Sequence, residues 1–182
     1  MEELEPVVQE MKPGILGGTE TGWNSRQDWS AGMEGSALFS KDRNKGKGGG
    51  VALSIKDEVD CKEIRSDGMD KTEPVWAKIT LGKKTTRASP GIVLGVGYGP
   101  PGSDMDRDPF NVFNEVNTNG NCVIMGDFNF PDIDWRTSAS NNNRAQIFLD
   151  AIADGFLHQV VAEPTRGDAS CQVVTMPCWT GN

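Results

Sequence analysis

The chain reads as an α/β fold built on a mixed sheet, and three observations predict it. Short runs rich in Val and Ile recur along the sequence, each bounded by Gly, Pro, Asn or Lys. Segments with apolar residues at helical spacing fall between some of these runs. Other neighbouring runs have no helix between them, so antiparallel pairs must accompany parallel ones.

In chain order, Leu4, Val7, Val8 and Met11 follow helical spacing and predict a helix that ends near Lys12-Pro13-Gly14, with Pro6 tolerated in its first turn. Ile15-Leu16-Gly17-Gly18 reads as a short buried strand, weakened by glycine, that delivers Thr19-Glu20 to its C-terminal end. Further strands are expected over Gly49 to Ile55, Val75 to Leu81, Ile92 to Tyr98 and Cys122 to Met125. A second helix is expected with Asp108 as cap, Pro109 in the first position and Phe110, Phe113 and Val116 on one face. For the third, Asn143 is the expected cap, Ala145, Phe148, Leu149 and Ile152 form the buried stripe, and Gly155 stands where a left-handed terminus is wanted. The biased stretches, Gly46 to Gly50 and Asn141 to Asn143, read as loops.

A length of 182 residues suits one domain. Apolar runs are only a handful of residues long, and the chain opens on Met1-Glu2-Glu3, so neither a signal peptide nor a membrane span is expected. Cys61, Cys122, Cys171 and Cys178 form no C-x-x-C pair and read as reduced thiols of an intracellular protein, nuclear or cytoplasmic. The net charge of -8 argues against a nucleic-acid clamp over the whole surface. Two local basic clusters remain, Lys41, Arg43, Lys45 and Lys47, and Lys83, Lys84 and Arg87; each fits a weak nucleic-acid contact or an ordinary solvated loop equally well.

The segment with most chemistry is Cys122-Val123-Ile124-Met125-Gly126-Asp127-Phe128-Asn129, an apolar strand that stops at glycine and presents an acid and an amide two residues apart. Gly126 is expected to allow a turn, and alternation along the strand is expected to point Asp127 and Asn129 the same way. A carboxylate beside a carboxamide suits a phosphodiester: one holds a cation or positions a water, the other donates to phosphate oxygen. Spacing alone also fits a plain Asp/Asn turn after a strand.

Gly126-Asp127-Phe128-Asn129-Phe130-Pro131-Asp132-Ile133-Asp134-Trp135 resembles the G-D-F-N segment of the endonuclease/exonuclease/phosphatase superfamily, in the extended form of non-LTR (LINE-type) retrotransposon endonucleases. Thr19-Glu20-Thr21 resembles the segment that carries that family's metal-binding glutamate. Asp28-Trp29-Ser30, Phe39 to Arg43, Gly48 to Leu53, Trp76, Val96 to Pro101, Phe148-Leu149-Asp150 and Glu163-Pro164-Thr165-Arg166-Gly167 follow in family order. The resemblance covers nearly the whole chain, and the ordered series is more specific than any one motif.

The resemblance implies a four-layer α/β sandwich, two packed mixed sheets flanked by helices, with the site at the strand ends. It implies that Glu20 binds Mg²⁺ or Mn²⁺, that Tyr98 contacts the scissile phosphate, that Asp127 orients the attacking water and that Asn129 helps hold the phosphate. It also implies DNA as substrate and a reverse-transcriptase domain in the same polyprotein. Departures are as specific. The family's asparagine-bearing first strand would precede Glu3, and after Glu163-Pro164-Thr165-Arg166-Gly167 the family continues to an L-D pair, whose aspartate orients its catalytic histidine and where this chain has Cys171-Gln172, and then to a terminal S-D-H motif. The resemblance therefore gives one partial domain over 1–182, incomplete at both termini, with 168–182 as a divergent tail, and a copy impaired in catalysis. His158, the single histidine, falls where the family shows no catalytic residue, and Gly99 stands where retrotransposon relatives carry arginine.

Lesser patterns carry little. Asp104, Asp106, Asp108 and Glu115 mimic a calcium loop, but Pro109 takes the position that needs glycine. Lys45 to Gly50 lacks the Lys-Ser/Thr ending of a P-loop. Two other functional classes remain open beside the retrotransposon nuclease: a phosphoesterase of the inositol-phosphate or sphingomyelin type, and a non-catalytic remnant.

Overall fold

The computed structural model describes residues 10–21, 35–42, 50–65, 74–80, 91–99 and 121–161, with the backbone of 172–175. The strands are β1 (Ile15–Thr19), β2 (Ser36–Lys41), β3 (Val51–Lys56), β4 (Cys61–Glu63), β5 (Val75–Thr80), β6 (Gly91–Tyr98), β7 (Cys122–Asp127), β8 (His158–Gln159) and β9 (Gln172–Thr175), and the helix is α1 (Asn143–Asp154). Glu10 and Met11 are helical, but the rest of the first expected helix, the helix expected at Asp108, and the Lys83 to Arg87 cluster lie outside the described residues.

The strands form two sheets, one of three in the order β1-β3-β2 and one of six in the order β4-β5-β6-β7-β9-β8. The first is antiparallel throughout. The second is mixed, because β6 and β7 run parallel while the other pairs are antiparallel. The mixed sheet expected from helix-free neighbours is thus present, in an α/β sandwich of two packed sheets.

Two apolar layers hold it together. Between the sheets lie Val51, Leu53 and Ile55 of β3, Val75, Ala77 and Ile79 of β5, and Leu94, Val96 and Tyr98 of β6. The other face of the larger sheet packs Trp76, Val93, Cys122 and Ile124 against Ala145, Phe148, Leu149 and Ile152 of α1. Each buried Val, Leu, Ile or Phe among them contributes about 1.5–3 kcal/mol by leaving water, and each Ala less. Residues Val51 to Ile55 are buried without interruption, so β3 is covered on both faces.

Glycine sets the spacing where the sheets and strands come closest. A Cβ on Gly17 would lie 3.1 Å from Val96 Cγ2 and 3.3 Å from Met125 Cε, so its bare backbone lets β1 settle onto β6 and β7. Gly126 is not the turn residue that the sequence suggests. It lies inside β7 opposite Gly97 of β6, and a Cβ there would sit 1.9 Å from the Gly97 carbonyl oxygen. The strand continues through it to Asp127.

Helix α1 buries the expected stripe, but both its ends differ by one residue from the expected caps. Asn142, not Asn143, is the N-cap, its Oδ1 accepting from the Arg144 N–H at 3.0 Å. At the other end Gly155 has φ -80, and the left-handed residue is Phe156 with φ 53. Phe156 N–H donates to Ala153 O and Leu157 N–H donates to Ile152 O, which is the paired closure of a left-handed helix end. Leu157 and Ile152 are both buried in the same core layer. That apolar contact fixes the register in which Phe156 rather than Gly155 takes the positive φ.

Segments not expected as strands complete the sheets. Ser36–Lys41 pairs with β3 along its length. Gln172–Thr175, within the stretch read as a divergent tail, is inserted between β7 and β8. Cys61 and Cys122 are free thiols, while Cys171 and Cys178 lie outside the described residues. Among the described residues no helix is long and apolar enough to cross a membrane.

Candidate active site at the strand ends

Register places the chemistry-bearing residues at one end of the two sheets. In the larger sheet Tyr98 and Asp127 are partners at the C-terminal ends of the parallel strands β6 and β7. In the smaller sheet Thr19 and Lys41 both pair with Val51, so Glu20, which follows Thr19, leaves from the same row. The Gly17 contact with Val96 and Met125 brings that row onto the other sheet. Tyr98, 9% exposed, closes the gap by donating its hydroxyl to Glu20 Oε1 at 2.5 Å. A hydrogen bond to a charged acceptor is short and strong, and this one joins the two sheets at the site.

Glu20 is held by its backbone as well. Its φ is 53, a region that few residues other than glycine and asparagine occupy. The next residue, Thr21, donates its N–H to Gly50 O at 3.3 Å, and a Cβ on Gly50 would lie 2.6 Å from Thr21 Oγ1. Gly50 itself has φ 88, so glycine is needed there for conformation and for space.

Asp127 and Asn129 are brought together by a turn rather than by strand alternation. The strand ends at Asp127, whose Oδ1 accepts the Asn129 N–H at 3.0 Å. Asn129 has φ 52, and its Nδ2 donates to Gly99 O at 2.7 Å. The Gly99 N–H in turn donates to Asp127 O at 2.8 Å. Gly99, which by the resemblance stands where retrotransposon relatives carry arginine, therefore supplies backbone to the turn. Two of the five described non-glycine residues with positive φ, Glu20 and Asn129, are candidate site residues. Backbone strain of this kind concentrates at functional sites.

Of the weak nucleic-acid candidates, Lys41 stands in the Glu20 row, while Arg43, Lys45 and Lys47 lie outside the described residues. His158 lies elsewhere. It pairs with Thr175, which pairs with Val123, four residues before Asp127 along β7. At the rise of a strand this is about 13 Å along the sheet from the site row, and His158 is a further two strands across it. Gln172 instead pairs with Gly126, directly beside Asp127. No group of three or more His, Cys, Asp or Glu gathers among the described residues. Sequence reasoning did not find the parts played by Gly50 and Gly99. Their signal was weak, a glycine run and one odd residue after the tyrosine, and the contacts they make are visible only once the strands are paired.

The described strand ends thus bring together an acid, a phenol and an acid-amide turn at the mouth of a two-sheet sandwich. The sequence matches the endonuclease/exonuclease/phosphatase family over residues 1–182, and the chain belongs to that family. No curated protein sequence matches it. Among solved structures, the human Nocturnin catalytic domain with bound sulfate is similar at 15% identity and TM-score 0.60, over 96% of this chain and 74% of that one. A 3′ phosphatase from Neisseria bound to product DNA hairpin is similar at 15% identity and TM-score 0.63, over 97% and 81%. An AP endonuclease from Archaeoglobus fulgidus is similar at 14% identity and TM-score 0.56, also over 97% and 81%. At these identities the likeness is one of fold.

Proposed function

We propose that this chain is the endonuclease domain of a non-LTR retrotransposon polyprotein, a divalent-metal-dependent phosphodiesterase acting on DNA, in a copy impaired in catalysis. The observation that carries the site reading is the Tyr98-Glu20 hydrogen bond joining the two sheets beside the Asp127-Asn129 turn. The ordered motifs from Thr19-Glu20-Thr21 to Glu163-Pro164-Thr165-Arg166-Gly167 support the retrotransposon subtype, and the Neisseria neighbour with its product DNA supports a DNA substrate. The reverse-transcriptase domain of the same polyprotein is the partner that this reading carries with it.

The donor set fits Mg²⁺ or Mn²⁺. Glu20 is exposed, and the hydrogen bond from Tyr98 occupies only one of its two oxygens by direct contact. A cation that relies on one or two carboxylates plus waters and substrate phosphates needs no all-protein cage. A cation held by Glu20 would supply positive charge against the negative charge that builds on the phosphoryl oxygens during hydrolysis.

The chain's own residues do the rest. Tyr98 orients Glu20 and lies at the scissile phosphate. Asp127 has Oδ1 engaged by the Asn129 N–H, which fixes the carboxylate plane and leaves Oδ2 to orient an attacking water. Asn129 gives one amide hydrogen to Gly99 O and has a second to offer a phosphate oxygen. Lys41, with Arg43, Lys45 and Lys47 following in sequence, contributes charge to a DNA strand approaching from the Glu20 row. The impairment reading rests on Gln172, which stands beside Asp127 by register and offers no charge, while His158 is at the far end of the sheet. Residues that act on one phosphate as a unit do not compensate for a missing member in proportion.

Plasmid nicking with Mg²⁺ and Mn²⁺ tests this. The native chain is expected to nick supercoiled DNA no faster than Asp127→Ala, while Glu20→Ala weakens Mn²⁺ binding in calorimetry. Robust nicking lost in Asp127→Ala would uphold the nuclease and overturn the impairment. Equal Mn²⁺ affinity in Glu20→Ala would overturn the metal assignment, and turnover of an inositol phosphate without nicking would move the substrate class.

A further inference from the structure

The geometry points to Phe148 as a positioning residue for Asn129, setting the site from the far side of the larger sheet; this rests on the reading of Asn129 as a phosphate contact. Asn129 is flanked by Phe128 and Phe130, which are 5% and 4% exposed, and both rings pack on Phe148. The Phe128 ring centroid is 5.1 Å from that of Phe148, and Phe130 stacks on it at 4.7 Å. Trp135 closes the cluster edge-on at 6.4 Å. One helical ring, 2% exposed, thus grips both neighbours of the site residue and the loop that follows.

The grip has a specific consequence. Asn129 holds φ 52, which a short peptide seldom populates, and among the described residues two polar contacts hold it there, the 3.0 Å bond to Asp127 and the 2.7 Å bond to Gly99. With Phe128 and Phe130 both turned into the α1 layer, the intervening residue is left half-buried at the strand ends and its backbone has little room to relax. Helix α1 is anchored to the same loop at a second place, since Asn142 Nδ2 donates to Asp132 Oδ2 at 3.3 Å while its Oδ1 caps the helix. Aromatic pairs couple beyond their buried area, so loss of the Phe148 ring reaches Asn129 through two contacts at once.

The test compares Phe148→Leu with Ile152→Ala, which lies one turn along the same stripe and weakens the same core layer. The readouts on the full chain are the Asn129 side-chain amide resonances and the affinity for inorganic phosphate by NMR titration. Phe148→Leu is expected to shift the amide and to weaken phosphate binding about three- to tenfold, with Ile152→Ala changing neither beyond its loss of global stability. Equal effects in the two variants, or an unmoved Asn129 amide in Phe148→Leu, would overturn the proposal. Asn129→Ala separates the two readings: if it leaves phosphate affinity unchanged while Phe148→Leu still moves the amide, the positioning stands and the phosphate role falls. Should Phe148→Leu be insoluble, Phe130→Leu removes the 4.7 Å stack from the other side and is expected to shift the same resonances.

Discussion

Tyr98 and Glu20 belong to different sheets, 78 residues apart in sequence, and meet in a 2.5 Å hydrogen bond at the point where the sheets' strand ends converge. The bond depends on packing well behind it. A bare Gly17 lets β1 lie close on Val96 and Met125, where a Cβ would be tight at 3.1 and 3.3 Å, and in that arrangement the residue three places on from Gly17 comes level with the one two places on from Val96. A site made this way is as rigid as the interface between the sheets, which is what catalytic groups on strand ends require.

Tyr98→Phe should keep the core and lose the link. Burial of the ring is retained, while a hydrogen bond to a charged group, worth about 1.5–3 kcal/mol when sheltered, is removed from an exposed partner, so unfolding free energy is expected to fall by about 1 kcal/mol. Mn²⁺ affinity is expected to fall several-fold because Glu20 then samples other rotamers. Urea denaturation and calorimetry on the same preparation check it; unchanged affinity would show that the left-handed backbone and the Gly50 latch hold Glu20 alone.

Gly126→Ala should be severe. The added methyl would meet the Gly97 carbonyl oxygen at 1.9 Å, backbone against backbone, with no flexible side chain to yield. Overpacking in cores costs about 1–3 kcal/mol when neighbours can shift, and here the neighbours are two paired strands, so about 3 kcal/mol or more is expected. A midpoint within experimental error of the native one would mean that β6 and β7 are not paired at Gly97.

Much of this was legible in the sequence, and what was not has a common cause. Val and Ile runs gave β3, β5, β6 and β7 because buried strands write themselves in composition, whereas β1 was found from Ile15-Leu16 alone and is not the buried strand expected, since Ile15 is 37% exposed. Ser36–Lys41 lacks that signature and Gln172–Thr175 carries it only in Val173-Val174; they are strands because β3 and β7 offer them edges, a tertiary fact. Gly126 read as a turn because glycine before an Asp suggests one, whereas its reason is Gly97 on another strand. For the site, the motif residues could be named, but the alternation argument for Asp127 and Asn129 gave way to a local hydrogen bond that ends the strand. Spacing along the chain shows which residues are chemical; what holds them is mostly distant in sequence.

Phe156→Gly should stabilise the protein. Phe156 is 73% exposed with φ 53, so its ring contributes little burial and its Cβ strains the left-handed turn. Left-handed backbone costs about 1–2 kcal/mol for an L-residue, and glycine's extra freedom in the unfolded chain offsets about 0.5–1 kcal/mol of the relief. The net expectation is a gain of about 0.5–1 kcal/mol with the helix register intact. A loss measured in urea would show that the exposed ring has a partner in the native state.

Cys122 should make the fold sensitive to alkali. Burial pushes its thiol up from 9.0 to about 12. Below pH 9 both folded and unfolded chains hold the proton, and stability does not depend on this group. Between 9 and 12 the unfolded chain has lost the proton and the folded one keeps it, so the folded state binds one more proton and unfolding free energy falls as pH rises. The slope is at most about 1.4 kcal/mol per pH unit, and it levels off once the folded thiol ionises. Urea midpoints taken from pH 8 to 11 should therefore drop more steeply in the native protein than in Cys122→Ala, a substitution that stays small and apolar at the α1 interface. At pH 8 the native thiol should also resist alkylation until the chain unfolds, because the reactive thiolate is scarce and the sulfur is covered. Parallel pH profiles for the two proteins would show that Cys122 is solvated, and would place β7 further from α1 than the packing of Cys122 in that layer requires.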